Sequence, residues 1–150
     1  MVPRRILVPT DGSPSAQRAE AFAASMADLM GECEVLVVNV VHPRDKVPTS
    51  ASQIAPLFTP EQIGAAEATA GAAAERIRGL VGSDKVRVET AVLEGHSAAK
   101  AIIEEADSMG TCDLIVLGAR GLGGFPSLIL GSTSQQVLHG SRCPVAIVKN

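Results

Sequence analysis

The sequence predicts a doubly wound α/β domain, a single five-stranded parallel sheet with helices on both faces, and three observations carry that prediction. Five apolar runs of strand length alternate with four segments of helical periodicity. Several of the strand runs are nearly continuous in Val, Ile and Leu, the pattern of strands buried on both faces. Aromatic residues supply only 2% of the chain against 46% hydrophobic residues in total. A core without rings must be filled by branched aliphatics and alanine, which suits Ala-rich helices lying on parallel strands. A length of 150 residues matches one domain, taken here as residues 1–150.

The elements follow in order. Residues 5–9 form a short apolar run that stops at Thr10, Asp11, Gly12 and Ser13, a turn signal. Ser13 suits the cap of the next helix and Pro14 its first turn. That helix carries Phe22, Met26, Leu29 and Met30 at spacings of three and four, which predicts its buried face, and Gly31 ends it. Residues 34–41 follow as a buried strand. Residues 42–59, with Pro43, Pro48 and Pro56, are irregular and are expected to form a flap. Thr59, Pro60 and Gln62 have the spacing of a capping box with proline at the first helical position. The helix behind them presents Ile63, Ala66, Ala70, Ala73, Ile77 and Leu80. Residues 85–93 alternate and then turn apolar, as a strand near a sheet edge would. Ser97 opens a third helix with Ala98, Ile102, Ala106 and Met109 inward. Residues 112–118 form the fourth strand, a fourth helix starts near Gly131, and residues 144–149 close the chain as the fifth strand.

Bulk properties exclude several classes. Thirteen Lys and Arg against sixteen Asp and Glu give a net charge of −3, the wrong sign for a nucleic-acid surface, which also needs aromatic stacking platforms. No signal peptide opens the sequence and no apolar run approaches a membrane span, so a soluble, cytoplasmic protein is expected. Cys33, Cys112 and Cys143 show no CxxC spacing, so neither a disulfide framework nor a zinc cluster is expected. Each cysteine precedes a strand, which places all three at one end of the sheet.

In an open doubly wound sheet, ligands sit beyond the carboxyl ends of the strands where the winding reverses. With the order 3-2-1-4-5, that point falls between the first strand, ending in Pro9, Thr10 and Asp11, and the fourth, ending in Gly118, Arg120 and Gly121. Glycine lets backbone N–H groups approach phosphate oxygens, and the helix start at Gly131, Ser132 and Thr133 offers further N–H donors to an anion. Ser132 and Gln135 have capping-box spacing, and Ser132, Thr133 and Ser134 add hydroxyls. Residues 118–133 are therefore expected to form a phosphate loop. Arg120 either reaches a phosphate or faces water, and Asp11 is either a ligand contact or a turn former.

The spacing Gly-x2-Gly-x9-Gly-Ser, set by Gly118, Gly121, Gly131 and Ser132, resembles the nucleotide-binding signature of the universal stress protein family. Residues 6–13, 93–96 and 141–148 resemble the same family's opening strand and loop, third strand exit and final strand, so the similarity spans nearly the whole chain. The resemblance implies an adenine nucleotide alpha hydrolase-like fold and a site for ATP or another adenine nucleotide. It implies that Asp11, with Pro9 and Thr10, lies beside the ribose and a phosphate-bound Mg²⁺, and that Val40 or Val41 meets the adenine. It also implies that Gly118, Gly121, Gly131, Ser132, Thr133 and Ser134 surround ribose and phosphates. The last strand, 145–148, would pair with its copy in a homodimer. Phe58 and Phe125 are the rings available to stack on a base.

Three function classes compete. A binding module whose occupancy is read by a partner or by the dimer is the reading the residues favour. An enzyme needs more: there is no Gly-Lys-Ser/Thr P-loop and no Gly-x-Ser-x-Gly elbow, and His42, His96 and His139 come from separate elements. Slow ATP hydrolysis with Asp11 positioning Mg²⁺ is the most that class supports. The third class is a structural protein that is ligand-free or holds AMP or cyclic AMP.

Overall fold

The computed structural model describes residues 4–43, 58–110, 112–120 and 130–149. Strands β1 (Arg4–Pro9), β2 (Cys33–Val41), β3 (Val86–Glu94), β4 (Leu114–Gly118) and β5 (Val145–Val148) alternate with helices α1 (Pro14–Met30), α2 (Pro60–Leu80), α3 (Ala98–Ser108) and α4 (Ser132–Gly140). All strand pairings are parallel and the order is β3-β2-β1-β4-β5, as the sequence predicts. The winding reverses between β1 and β4. Much of the middle of the expected flap, residues 44–57, lies outside the described residues, as do Phe125 and Gly121 of the phosphate loop.

Strand alternation divides the interior into two cores. In β1, Ile6 and Val8 face the core under α1 and α2, while Leu7 faces the core under α3 and α4. Val35 and Val37 of β2 join the first, and Val38 joins the second. In β4, Val116 points one way and Ile115 and Leu117 the other. β3 is an edge strand, as its alternation implies.

The face predicted for α1 is only partly the buried one: Met26 and Met30 pack against the core, but the other two residues do not. Phe22 is 40% exposed and Leu29 81%, whereas Ala16, Ala19, Ala23, Ala24 and Ala27 are buried together with Glu20. Both sets have helical spacing, and the bulkier residues drew the prediction. Packing favours the small ones: α1 lies against the sheet and against α2, whose facing residues are Ala66, Ala70, Ala73, Ala74 and Ile77. Two alanine faces let backbones approach closely at little cost in side-chain entropy. Leu80, expected inward, is 56% exposed at the end of α2. On α3 the buried residues are Ala99, Ile102 and Ala106. Ala98 and Met109 are half-buried.

Helix starts follow the expected chemistry with one exception. Ser13 accepts from the N–H of Ala16, Ser97 from that of Lys100, and Thr59 and Gln62 form the full capping box. The capping box expected from Ser132 and Gln135 does not form. Gly131 is the N-cap of α4, with φ −69° and ψ 162°, and among the described residues no side chain caps that helix.

Candidate functional site

The carboxyl ends of β1 and β4 open into a cavity of about 530 Å³, within the usual size range of small-molecule sites. Its first wall is the β1–α1 turn. Gly12 has φ +78°, a conformation that suits glycine. The Asp11 Oδ1 accepts from the N–H of Ser13 at 2.9 Å, so Asp11 shapes the turn while Ser13 caps the helix. Asp11 is half-buried and lines the cavity.

Thr10 is the best-held residue of this wall. Its N–H donates to the carbonyl of Val38 at 2.8 Å, and its own carbonyl accepts from Asn39 Nδ2 at 2.7 Å. Its hydroxyl donates to Glu20 Oε1 at 2.9 Å and accepts from the N–H of Gly12 at 3.2 Å. Arg76 of α2 grips the same carboxylate, Nε to Oε2 at 2.7 Å and Nη2 to Oε1 at 3.0 Å. The hydrogen bond to Glu20 raises the Arg76 pKa further above its ordinary value, against desolvation.

The second wall runs from β4 to α4. An alanine Cβ at Gly118 would lie 2.7 Å from the carbonyl carbon and oxygen of Ser15. Close packing of β4 on the start of α1 therefore requires glycine there, a need the sequence reading did not foresee. The N–H of Arg120 donates to Ser15 Oγ at 3.1 Å, and the N–H of Ala119 to the carbonyl of Val148 at 3.0 Å. The N–H of Gly131 reaches the carbonyl of Ala119 at 2.7 Å, closing the loop onto α4. The Ser134 hydroxyl donates to the carbonyl of Gly118 at 2.8 Å. Its proton is thus committed to the loop, and Ser134 shapes the cavity more than it donates into it.

Ten of the twelve residues singled out in the sequence line this cavity: Pro9, Thr10 and Asp11 from the first wall, Val40 from β2, and Gly118, Arg120, Gly131, Ser132, Thr133 and Ser134 from the second. Gly121 lies outside the described residues. Val41 is buried away from the cavity, and its carbonyl accepts from the N–H of Gly95 at 3.1 Å. Successive strand residues face opposite ways, so Val40 and Val41 cannot both serve. Phe58 is not among the lining residues. Asn39, Ala98, Ile102 and Leu117 line the cavity without having been foreseen, as does His42, whose carbonyl accepts from Gln62 at 3.3 Å. Asn39 carried a signal in retrospect, an amide inside an otherwise apolar strand.

Fold and cavity together define an open α/β domain with a mixed polar and apolar cleft at the carboxyl edge of its sheet. The sequence profile of the universal stress protein family matches residues 3–149. A universal stress protein of Thermus aquaticus is 36% identical over 146 residues, covering 97% of this chain and 98% of the relative. One from Methanocaldococcus jannaschii is 30% identical, covering 97% and 82%. Among solved structures, the Archaeoglobus fulgidus universal stress protein in complex with dAMP superposes with a TM-score of 0.73 at 26% identity, covering 99% of this chain and 100% of that one. A universal stress protein in complex with cAMP gives 0.70 at 27% identity, covering 97% and 96%. The chain belongs to the universal stress protein family.

Proposed function

We propose that this chain is an adenine-nucleotide-binding stress-response regulator that holds ATP with Mg²⁺ in the cavity between the exits of β1 and β4. The observation that carries the reading is the pairing of two kinds of surface in one cleft. Val40, Ala98, Ile102 and Leu117 offer an apolar seat for a base, while Arg120, Ser132, Thr133 and the start of α4 offer donors to phosphate. Among the described residues no side chain caps α4, which suits a helix start that receives an anion. The dAMP and cAMP complexes of the two structural relatives support an adenine nucleotide as the ligand class.

In this reading Asp11 stands beside the ribose and, as the one carboxylate among the described lining residues, would hold Mg²⁺ together with phosphate oxygens. The metal would neutralise the triphosphate. Gly121 is assigned to the phosphate loop with Gly118 and Gly131. Arg120 is the one fixed cation among the described lining residues, which favours a second reading in which the resident is a monophosphate or a cyclic nucleotide. Mg²⁺ separates the two, since a triphosphate should depend on it strongly and a cyclic monophosphate should not. Binding rather than turnover is the proposed role, with slow hydrolysis its upper limit. A cytoplasmic location is part of the same proposal.

The test is to denature purified protein and identify the released small molecules by ion-exchange chromatography with mass detection. A stoichiometric adenine nucleotide is expected. For emptied protein, Mg-ATP at one hundred times its Kd should stabilise the fold by about 2.7 kcal/mol, roughly 5–10 °C in Tm for a chain of this size. No released nucleotide, and no shift with Mg-ATP, AMP or cAMP, would remove the function and leave the fold.

A homodimer through β5 belongs to the proposal. β5 is a four-residue apolar strand at the sheet edge, paired among the described residues only with β4 and half-buried along its whole length. The double change Val145→Lys and Ile147→Lys should convert a dimer to a monomer on a sizing column. A dimer that survives with a native melting transition places the interface elsewhere.

A further inference from the structure

At the end of the sheet away from the cavity, Cys112 and Cys143 immediately precede β4 and β5, which are neighbours in register from Ile115 and Val145. Both sulfurs pack against the core under α3 and α4. The Cys143 Sγ donates to the carbonyl oxygen of Cys112 at 3.0 Å, and the Cys112 Sγ donates to that of Leu114 at 3.6 Å. With the sulfur of one residue resting on the backbone of the other, the pair lies close to the span that a disulfide bridges. The turn that presents Cys143 is fixed by Ser141, whose Oγ accepts from the Cys143 N–H at 3.0 Å and donates to its carbonyl at 3.1 Å. Cys33 starts β2 on the other core and is buried.

From this juxtaposition we infer that Cys112 and Cys143 are a modification site: a dithiol that a peroxide converts to an intramolecular disulfide joining β4 to β5. Cys112 is the attacking residue. Burial pushes its thiol up, and nearby hydrogen-bonding groups offset part of that rise. Burial pushes Cys143 up to about 12, with the hydrogen bond to Cys112 adding to the rise, so Cys143 keeps its proton and resolves. The Cys112 sulfur attacks one peroxide oxygen, the O–O bond breaks, and a sulfenic acid and one water result. The Cys143 sulfur then attacks the sulfenic sulfur and expels the second water. Two thiols lose two electrons and two protons, and one peroxide becomes two waters. Because both thiols are held protonated at neutral pH, the reaction is slow there and accelerates as pH rises.

The experiment oxidises the full chain with hydrogen peroxide, removes the oxidant, and counts free thiols under denaturing conditions. The count should fall from three per chain to one. Trypsin should then release residues 101–120 joined to residues 143–149, a mass that disappears on reduction. Cys112→Ser and Cys143→Ser should each abolish that cross-linked species, and Cys33→Ser should leave it intact. The oxidised protein should melt roughly 5–10 °C higher, because the staple closes a 30-residue loop. Three thiols surviving oxidation would overturn the inference. So would a chain-to-chain disulfide on a non-reducing gel, or a cross-link that uses Cys33. None of these outcomes depends on whether the cavity binds a nucleotide.

Discussion

Gly118→Ala should cost the protein both its site and several degrees of melting temperature. The added Cβ would sit 2.7 Å from the carbonyl carbon and oxygen of Ser15, a separation that real contacts essentially never show. Those are backbone atoms in the first turn of α1, so no side chain can rotate away. β4 cannot retreat either, because it is paired to β1 on one side and β5 on the other. Overpacking of this kind costs about 1–3 kcal/mol, a fall of roughly 3–10 °C in Tm. The strain would be relieved where the chain is least constrained, at the exit through Ala119 and Arg120, where the Arg120 N–H to Ser15 Oγ bond and the Ser134 to Gly118 bond both lie. Nucleotide affinity is therefore expected to fall at least tenfold. Gly131→Ala is the control. Gly131 has φ −69°, which any residue adopts, so its replacement should change stability by no more than about 1 kcal/mol while the methyl intrudes on the proposed phosphate seat. Calorimetry for affinity and a thermal melt for stability separate the two. Equal melts for wild type and Gly118→Ala would mean that β4 and α1 part without cost, and the packing role of Gly118 would be withdrawn.

Most of the scaffold was legible because its signals are local. β1 and β4 end in Thr10–Gly12 and Gly118–Ala119, apolar runs cut off by turn chemistry, and parallel order followed from their alternation with helices. The capping box at Thr59 and Gln62 lies within four residues and was read correctly. What the sequence hid depends on distance through space. The buried face of α1 could not be chosen between two sets of equal period until α2 supplied its own alanines. The packing role of Gly118 stayed hidden because nothing local reveals that Ser15 lies against it. Ser132 had the right spacing for a cap, but the closure of Gly131 onto Ala119 moved the helix start by one residue. The ion pair between Glu20 and Arg76 joins residues 56 apart in the chain.

That pair carries the second large effect. Glu20 is 1% exposed, and its carboxylate is satisfied by the two Arg76 nitrogens and the Thr10 hydroxyl. Removing Arg76 alone, as Arg76→Met, leaves a buried charge with one neutral donor. Breaking a buried pair from one side costs about 3–5 kcal/mol, and the partial exposure of Arg76 argues for the lower end because water can replace some of it. Arg76→Met should thus lower Tm by roughly 6–12 °C. Glu20→Gln removes the charge but keeps an acceptor for Thr10, so it should cost less. Combined with Arg76→Met it should recover much of the loss, since no unpaired charge then remains. The consequence for the site runs through Thr10: its hydroxyl, held by Glu20, receives the N–H of Gly12, and its carbonyl holds Asn39. Loosening Glu20 should therefore loosen the turn that carries Asp11, and nucleotide affinity in Arg76→Met should drop severalfold even below its melting range. A double-mutant cycle read by chemical denaturation decides the matter. Single and double variants whose costs simply add would mean that the two side chains do not act as a pair, and Thr10 would then owe its position to β1 and β2 alone.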